Sequence, residues 1–142
     1  MSVSPIGPVR QAVYTRIKNY SSWIWPLYSK IPSGSTPPYA EITTIIADRS
    51  TKDGVGAKKQ QGFDVAIRIN VWTNSGGSYV DIDAISGVIM SAITDERDEV
   101  FNPLSVSGFT TIMQKLDAID NIPIEGDEYE HNAIDISLSL QS

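Results

Sequence analysis

From Gly62 to Trp72, in the stretch GFDVAIRINVW, large apolar residues recur at every second position. Phe63, Val65, Ile67, Ile69 and Val71 fall on one side of an extended chain, and Asp64, Ala66, Arg68, Asn70 and Trp72 on the other. Successive side chains of a strand point to opposite faces, so the pattern predicts a strand with one core face. The other face mixes two opposite charges, an amide and a large aromatic ring. That mixture suits either plain solvation or a docked partner.

The same period recurs near the end of the chain. Ile134, Ile136, Leu138 and Leu140 alternate with Asp135, Ser137 and Ser139, which predicts a strand from about Tyr129 to Leu140. YAEITTIIA, Tyr39 to Ala47, is rich in β-branched residues and predicts another. A further strand is expected over about Phe109 to Asp120.

Two stretches change to the helical period. Val9, Val13, Ile17 and Tyr20, with Ala12, form an apolar stripe over about Pro8 to Tyr20, with Pro8 in the first turn. Ile82, Ile85, Val88, Ile89, Ala92 and Ile93 form a second stripe. Ser78, with Asp81 three residues on, resembles a capping box at its start.

The connections are uneven. SSWIWPLYSKIPSGSTPP holds four prolines and one glycine and reads as irregular. Its Trp23, Ile24, Trp25, Leu27 and Tyr28 are too apolar for a free linker and are expected to pack under the sheet or between subunits. DRSTKDGVGAKKQQG has three glycines and no apolar face, so it predicts a mobile loop or a β-arm that docks on a partner. The order α-β-β-α-β-β implies the α+β class: a mostly antiparallel four-stranded sheet with two helices packed on one face. No internal repeat is visible, and 142 residues suit a single domain, 1–142.

Composition narrows the function. The chain has no cysteine, which removes thiolate metal sites and thiol nucleophiles. No apolar run is long enough to span a bilayer, and MSVSPIGPVRQ lacks the regions of a signal peptide, so folding in a cytoplasm is expected, with no membrane partner. A net charge of −6 argues against specific nucleic-acid binding. Arg49, Lys52, Lys58 and Lys59 make the segment from Asp48 to Gly62 basic. From Asp117 to Asp135 there are seven acids, Asp127, Glu128 and Glu130 among them, and no Lys or Arg. Two solvated loops would explain this, and so would complementary docking between identical subunits.

Signs of catalysis are thin. The one histidine, His131, sits in DEYEHN, where Asp127, Glu128 and Glu130 add oxygen donors for a divalent metal. A plain acidic turn accounts for the same residues, and strand alternation sets Glu130 and His131 on opposite faces. Asp81 and Asp83 are explained by the preference of helix N-termini for acids. Neither SGSTPP nor DGVGAKKQQG has the strand–loop–helix setting of a phosphate loop. The expectation is a non-enzymatic protein without a cofactor.

Four pieces in order resemble a known family. VRQAVYTRIKN opens as a helix, IPSGSTPPYAEI leads into the first strand, GFDVAIRINVWTNSGGSYVDIDAISGVIMSAI gives strand, break and amphipathic helix, and AIDISLSL closes as a strand. Together they span nearly the whole chain and look like the tail completion, or tail terminator, proteins of long-tailed bacteriophages. TDERDEVFNPLSVSGF departs from that pattern in being longer and more acidic.

The resemblance implies an α+β subunit of a six-membered ring that caps the finished tail tube and faces the head connector. It implies no catalytic residues. The implied partners are other copies of the chain, the tube protein and the connector, and the implied location is the virion, after assembly in the host cytoplasm. Arg68, Asn70 and Trp72 become candidates for contacts between subunits or with the lumen, since Trp and Arg are enriched at interface hot spots. The basic residues Arg49, Lys52, Lys58 and Lys59 and the acidic residues Asp127, Glu128 and Glu130 are the other interface candidates. Three alternatives stand beside this reading: a head-side connector or neck adaptor, a small metal-dependent hydrolase, and a monomeric binding module.

Overall fold

The computed structural model describes residues 4–35, 37–49, 62–74, 79–94, 103–122 and 129–141. The elements run α1 (Ile6–Lys18), β1 (Leu27–Tyr28), β2 (Tyr39–Arg49), β3 (Gly62–Asn74), α2 (Tyr79–Thr94), β4 (Thr110–Ile122) and β5 (Tyr129–Gln141). The sheet order is β1-β2-β3-β5-β4. All neighbours are antiparallel except β1 and β2, which are parallel. The α+β class holds, but among the described residues the sheet has five strands where four are expected. The extra one is the two-residue β1, which pairs Leu27 with Ala40 and Tyr28 with Glu41. It lies in the stretch that prolines and glycine mark as irregular, and two residues are too few to carry a period.

Both helices cover one face of the sheet. α1 contacts β2 and α2, and α2 contacts β3, β4 and β5. α1 buries Val9, Ala12, Val13 and Ile17, and α2 buries Ile82, Ile85, Ile89, Ala92 and Ile93. They meet Val65, Ile67, Ile69 and Val71 of β3 and Ile134, Ile136, Leu138 and Leu140 of β5. The face expected of β3 from its alternation is therefore the core face. Each fully buried aliphatic side chain contributes roughly 1.5–3 kcal/mol, so this cluster is the main stabilising unit.

The apolar connection after α1 closes one end of the core. Trp23 and Leu27 are buried, and Trp25 meets Trp23 edge-to-face at 5.2 Å between ring centroids. Tyr28 meets Tyr39 in the same manner at 5.8 Å. Ile24 does not pack and stays 80% exposed.

Residues 103–109 tie the helices to β4. Leu104 and Val106 are buried. Arg16 donates from Nη1 to the Ala92 carbonyl and from Nη2 to that of Pro103, at 3.2 and 2.8 Å. Gln114 donates to the Ile93 carbonyl and accepts from the Leu104 N–H. Two of these acceptors, the Ala92 and Ile93 carbonyls, belong to the last turn of α2, where carbonyls lack intrahelical partners. Gly108, at φ 84°, supplies the left-handed residue in the turn before β4.

A chain of polar groups runs from the surface of β4 into the core. Asn121 Nδ2 donates to Asn132 Oδ1 at 2.9 Å, Asn132 Nδ2 to Ser86 Oγ at 3.1 Å, and Ser86 Oγ to the Ile82 carbonyl at 2.8 Å. This run joins β4, β5 and α2 and leaves the buried amide of Asn132 satisfied.

Candidate functional site

The face of the sheet away from the helices carries the polar side chains that core packing does not explain. β3 contributes Asp64, Ala66, Arg68, Asn70 and Trp72. Its neighbour β5 sets Ser139, Ser137, Asp135, Ala133 and His131 opposite them, one for one. Because directly opposed side chains on one face are close neighbours, this register decides which groups meet.

Arg68 and Asp135 meet through Nε–Oδ1 at 2.8 Å and Nη2–Oδ2 at 3.1 Å. Asp135 raises the Arg68 pKa through these hydrogen bonds and through its charge, so the guanidinium is held firmly cationic. Further along, His131 Nε2 lies 2.7 Å from Asn70 Oδ1. Asn70 Nδ2 donates to Thr43 Oγ1 at 3.0 Å, and Thr43 Oγ1 donates to the Arg68 carbonyl at 3.2 Å. With the amide nitrogen of Asn70 committed to Thr43, its oxygen faces His131 and accepts from Nε2–H. The relay thus links β5, β3 and β2.

Thr43 is placed by a bulge. The β2–β3 register shifts between Ile42 and Thr44. Before it, Ile42 faces the core opposite Ile69. After it, Ile45 takes the core side opposite Ile67, and Ile46 turns outward opposite Ala66. One extra residue therefore moves Ile46 from the face of Ile42 to the other, where it is 53% exposed.

At the end of this face the Trp72 and His131 rings stack, with centroids 3.9 Å apart and planes at 4°. His131 is buried, and burial first, then the charge of Arg68, lowers its pKa below the ordinary 6.5. Trp72 Nε1 is buried without a hydrogen-bond partner among the described residues. Towards β4, Ser137 donates to Asp117 and Lys115 lies 3.7 Å from Asp117, while towards β3 Ser139 donates to Asp64 at 3.1 Å. A shallow depression of about 470 Å³ opens among Ile46, Ala66, Arg68, Asp117 and Asp135. A second, of about 500 Å³, lies between α1 and the segment at Leu104.

The structure brings Arg68, Asn70 and Trp72 together on one half-buried face. Arg49 is exposed at the end of β2. Glu130 is on β5 beside Thr73, whose hydroxyl donates to it at 3.4 Å, and on the opposite face from His131 as alternation requires. Lys52, Lys58, Lys59, Asp127 and Glu128 lie outside the described residues, as does most of the segment expected to be a mobile arm. Thr43, Asp135 and Ile46 were missed as site residues. Nothing in one strand's sequence names its neighbour, so Asp135 has no signal until the β3–β5 pairing is known. Among the described residues no three of His, Asp and Glu converge in a way that holds a metal ion, and no helix is long and apolar enough to cross a membrane. The face can therefore offer hydrogen bonds, charge and apolar contact to a partner.

No family model matches the chain, and no curated protein matches it in sequence. A solved structure does match in fold. It is a chain of the structure titled "Virion of native gene transfer agent (GTA) particle", with a TM-score of 0.80 and 14% identity, over 99% of this chain and 100% of that chain. At that identity the likeness is one of fold, and it runs from end to end: this chain and a chain of a virion share the same α+β architecture.

Proposed function

We propose that this chain is a structural subunit of a phage-like virion, a tail terminator that forms a ring at the end of the tail tube and joins it to the head connector. One observation carries the reading: the whole-length fold likeness to a chain of a virion particle, at a TM-score of 0.80. The sequence resemblance to tail terminator proteins points the same way. The role is assembly without chemistry, and the partners are further copies of the chain, the tube protein and the connector. The outer sheet face, with Arg68, Asn70 and Trp72, and the exposed Arg49 supply contacts within the assembly, as do Lys52, Lys58, Lys59, Asp127, Glu128 and Glu130. The protein works in the virion neck and is built into it in the host cytoplasm.

Electron microscopy of lysates from a strain lacking this protein tests the reading. A terminator predicts tails of uncontrolled length that carry no heads. A head-side adaptor predicts tails of normal length beside separate heads. Complete, infectious particles would contradict both.

A further inference from the structure

We infer that the two open edges of the sheet, β4 on one side and the distal half of β2 on the other, pair with each other between copies of this chain, so that the sheet continues from subunit to subunit. The inference rests on the ring reading above and assigns the contact that closes the ring.

Among the described residues the topology leaves both edges open. β4 runs for 13 residues at the end of the sheet, and among those residues only β5 pairs with it. At the other end, β1 pairs with β2 only at Ala40 and Glu41. From Ile42 to Arg49 the outward side of β2 has no neighbouring strand among the described residues. An unpaired strand edge is a row of backbone donors and acceptors that accepts another strand, and monomeric proteins blunt such edges or cover them.

Side chains mark the same two strands. Ile46 on β2 is 53% exposed, and Ile112, Met113 and Ile119 on β4 are 50, 40 and 38% exposed. Scattered exposed aliphatics are ordinary. Here four of the six large ones among the described residues lie on the two edge strands, where apolar exposure invites association.

Strand direction selects the pairing. β2 is antiparallel to β3, β3 to β5 and β5 to β4, so β2 and β4 run in opposite directions. Rotation about an axis along the strands keeps each direction unchanged. The β4 of one copy then meets the β2 of the next in antiparallel fashion, a stable ladder geometry. Since the two edges differ, the contact is heterologous, the kind that builds a ring when the rotation between copies closes, whereas an edge paired with its own copy would give a two-fold dimer. Carried across the sheet, Ile46 stands level with Lys115, two residues from Met113, so the exposed aliphatic residues of the two edges come close when copies are related by rotation alone. Register shifts at Thr43, between Thr111 and Met113, and between Leu116 and Ala118 confine the regular stretches to short runs. Such bulges discourage indiscriminate pairing while leaving those runs available.

The absence of cysteine makes a direct test possible. Full-length Ile46→Cys and Met113→Cys proteins are prepared separately, mixed, and treated with a short bismaleimide that tolerates a small offset in register. The expected result is a cross-linked dimer in the mixture and none in either protein alone. The Ile46→Cys/Met113→Cys protein should give a ladder of multimers. Ile46→Lys and Met113→Lys, at exposed positions, should leave a folded, cooperatively melting chain while lowering the ring fraction by at least roughly tenfold. Cross-links within a single-cysteine protein, or none in the mixture, would overturn the edge contact. Native mass of the unsubstituted chain separates the two levels. Rings without the edge cross-link overturn the contact alone, and a chain that stays monomeric overturns the ring as well.

Discussion

Arg68 on β3 and Asp135 on β5 face each other on the outer side of the sheet and share two hydrogen bonds, at 2.8 and 3.1 Å. The pair is partly exposed, so water screens it and its contribution to stability is small. Its geometry is specific: it fixes the guanidinium beside the depression lined by Ile46, Ala66 and Asp117. Asp135→Asn should therefore fold normally and lower the melting temperature by less than Ile67→Ala. If the outer face is an interface, the same change should weaken assembly more than stability. Parallel thermal melts and native mass measurements check both halves.

Ile69 is fully buried on the core face of β3, opposite Ile42 and Ile134. Ile69→Ala should cost about 2–5 kcal/mol through lost contacts and the cavity left behind. Ile69→Asp should prevent folding, because it buries a charge without a partner. Denaturant melts give the first value. A soluble, cooperatively melting Ile69→Asp protein would mean that the face is wrongly assigned.

His131 makes the fold sensitive to mild acid. Its pKa in the folded chain is lowered, by burial and then by Arg68, while the unfolded chain keeps the ordinary value of 6.5. Between those two pKa values the unfolded chain binds more protons, so stability rises with pH there. The contribution is complete above about pH 6.5 and falls away as the pH drops towards the folded value. Across β3, β4 and β5, the charged groups on this outer face are Asp64 and Arg68 of β3, Lys115, Asp117 and Asp120 of β4, and Asp135 of β5 itself. Melting temperatures from pH 5 to 8 should fall on the acid side, and less steeply for His131→Gln. An imidazole titration midpoint above 6.5 in the folded protein would contradict this.

Ser86 joins α2 to β5 by accepting from Asn132 Nδ2. Ser86→Ala leaves that buried donor unpaired and should cost about 1–3 kcal/mol. Adding Asn132→Leu removes the stranded donor in turn, so the two changes should not be additive. Denaturant melts of both single variants and the double variant measure the coupling.

Much of this architecture was legible in sequence because alternation and helical stripes are local. The faces of β3 and β5 and the stripes of both helices follow from spacing alone. β1 was not legible, because Leu27 and Tyr28 are too few to show a period and lie close to Pro26 and Pro32. The turn of Ile46 away from the core depends on one extra residue at Thr43, and ITTII reads the same with or without a bulge. The relay from His131 through Asn70 to Thr43 needs residues from three strands in register. Each of its members looks like an ordinary polar residue in its own strand. The outer-face candidates Arg68, Asn70 and Trp72 were visible as a mixed face, and their partners were not.

As the proposed terminator, the chain closes into a ring through its own surfaces. Native mass spectrometry of the purified full-length protein, with electron microscopy of the same sample, tests it most directly. The expected result is a dominant species at six times 15.5 kDa, seen as closed rings with a central opening. A strict monomer at high concentration and low salt, or an open-ended polymer with no closed species, would contradict it.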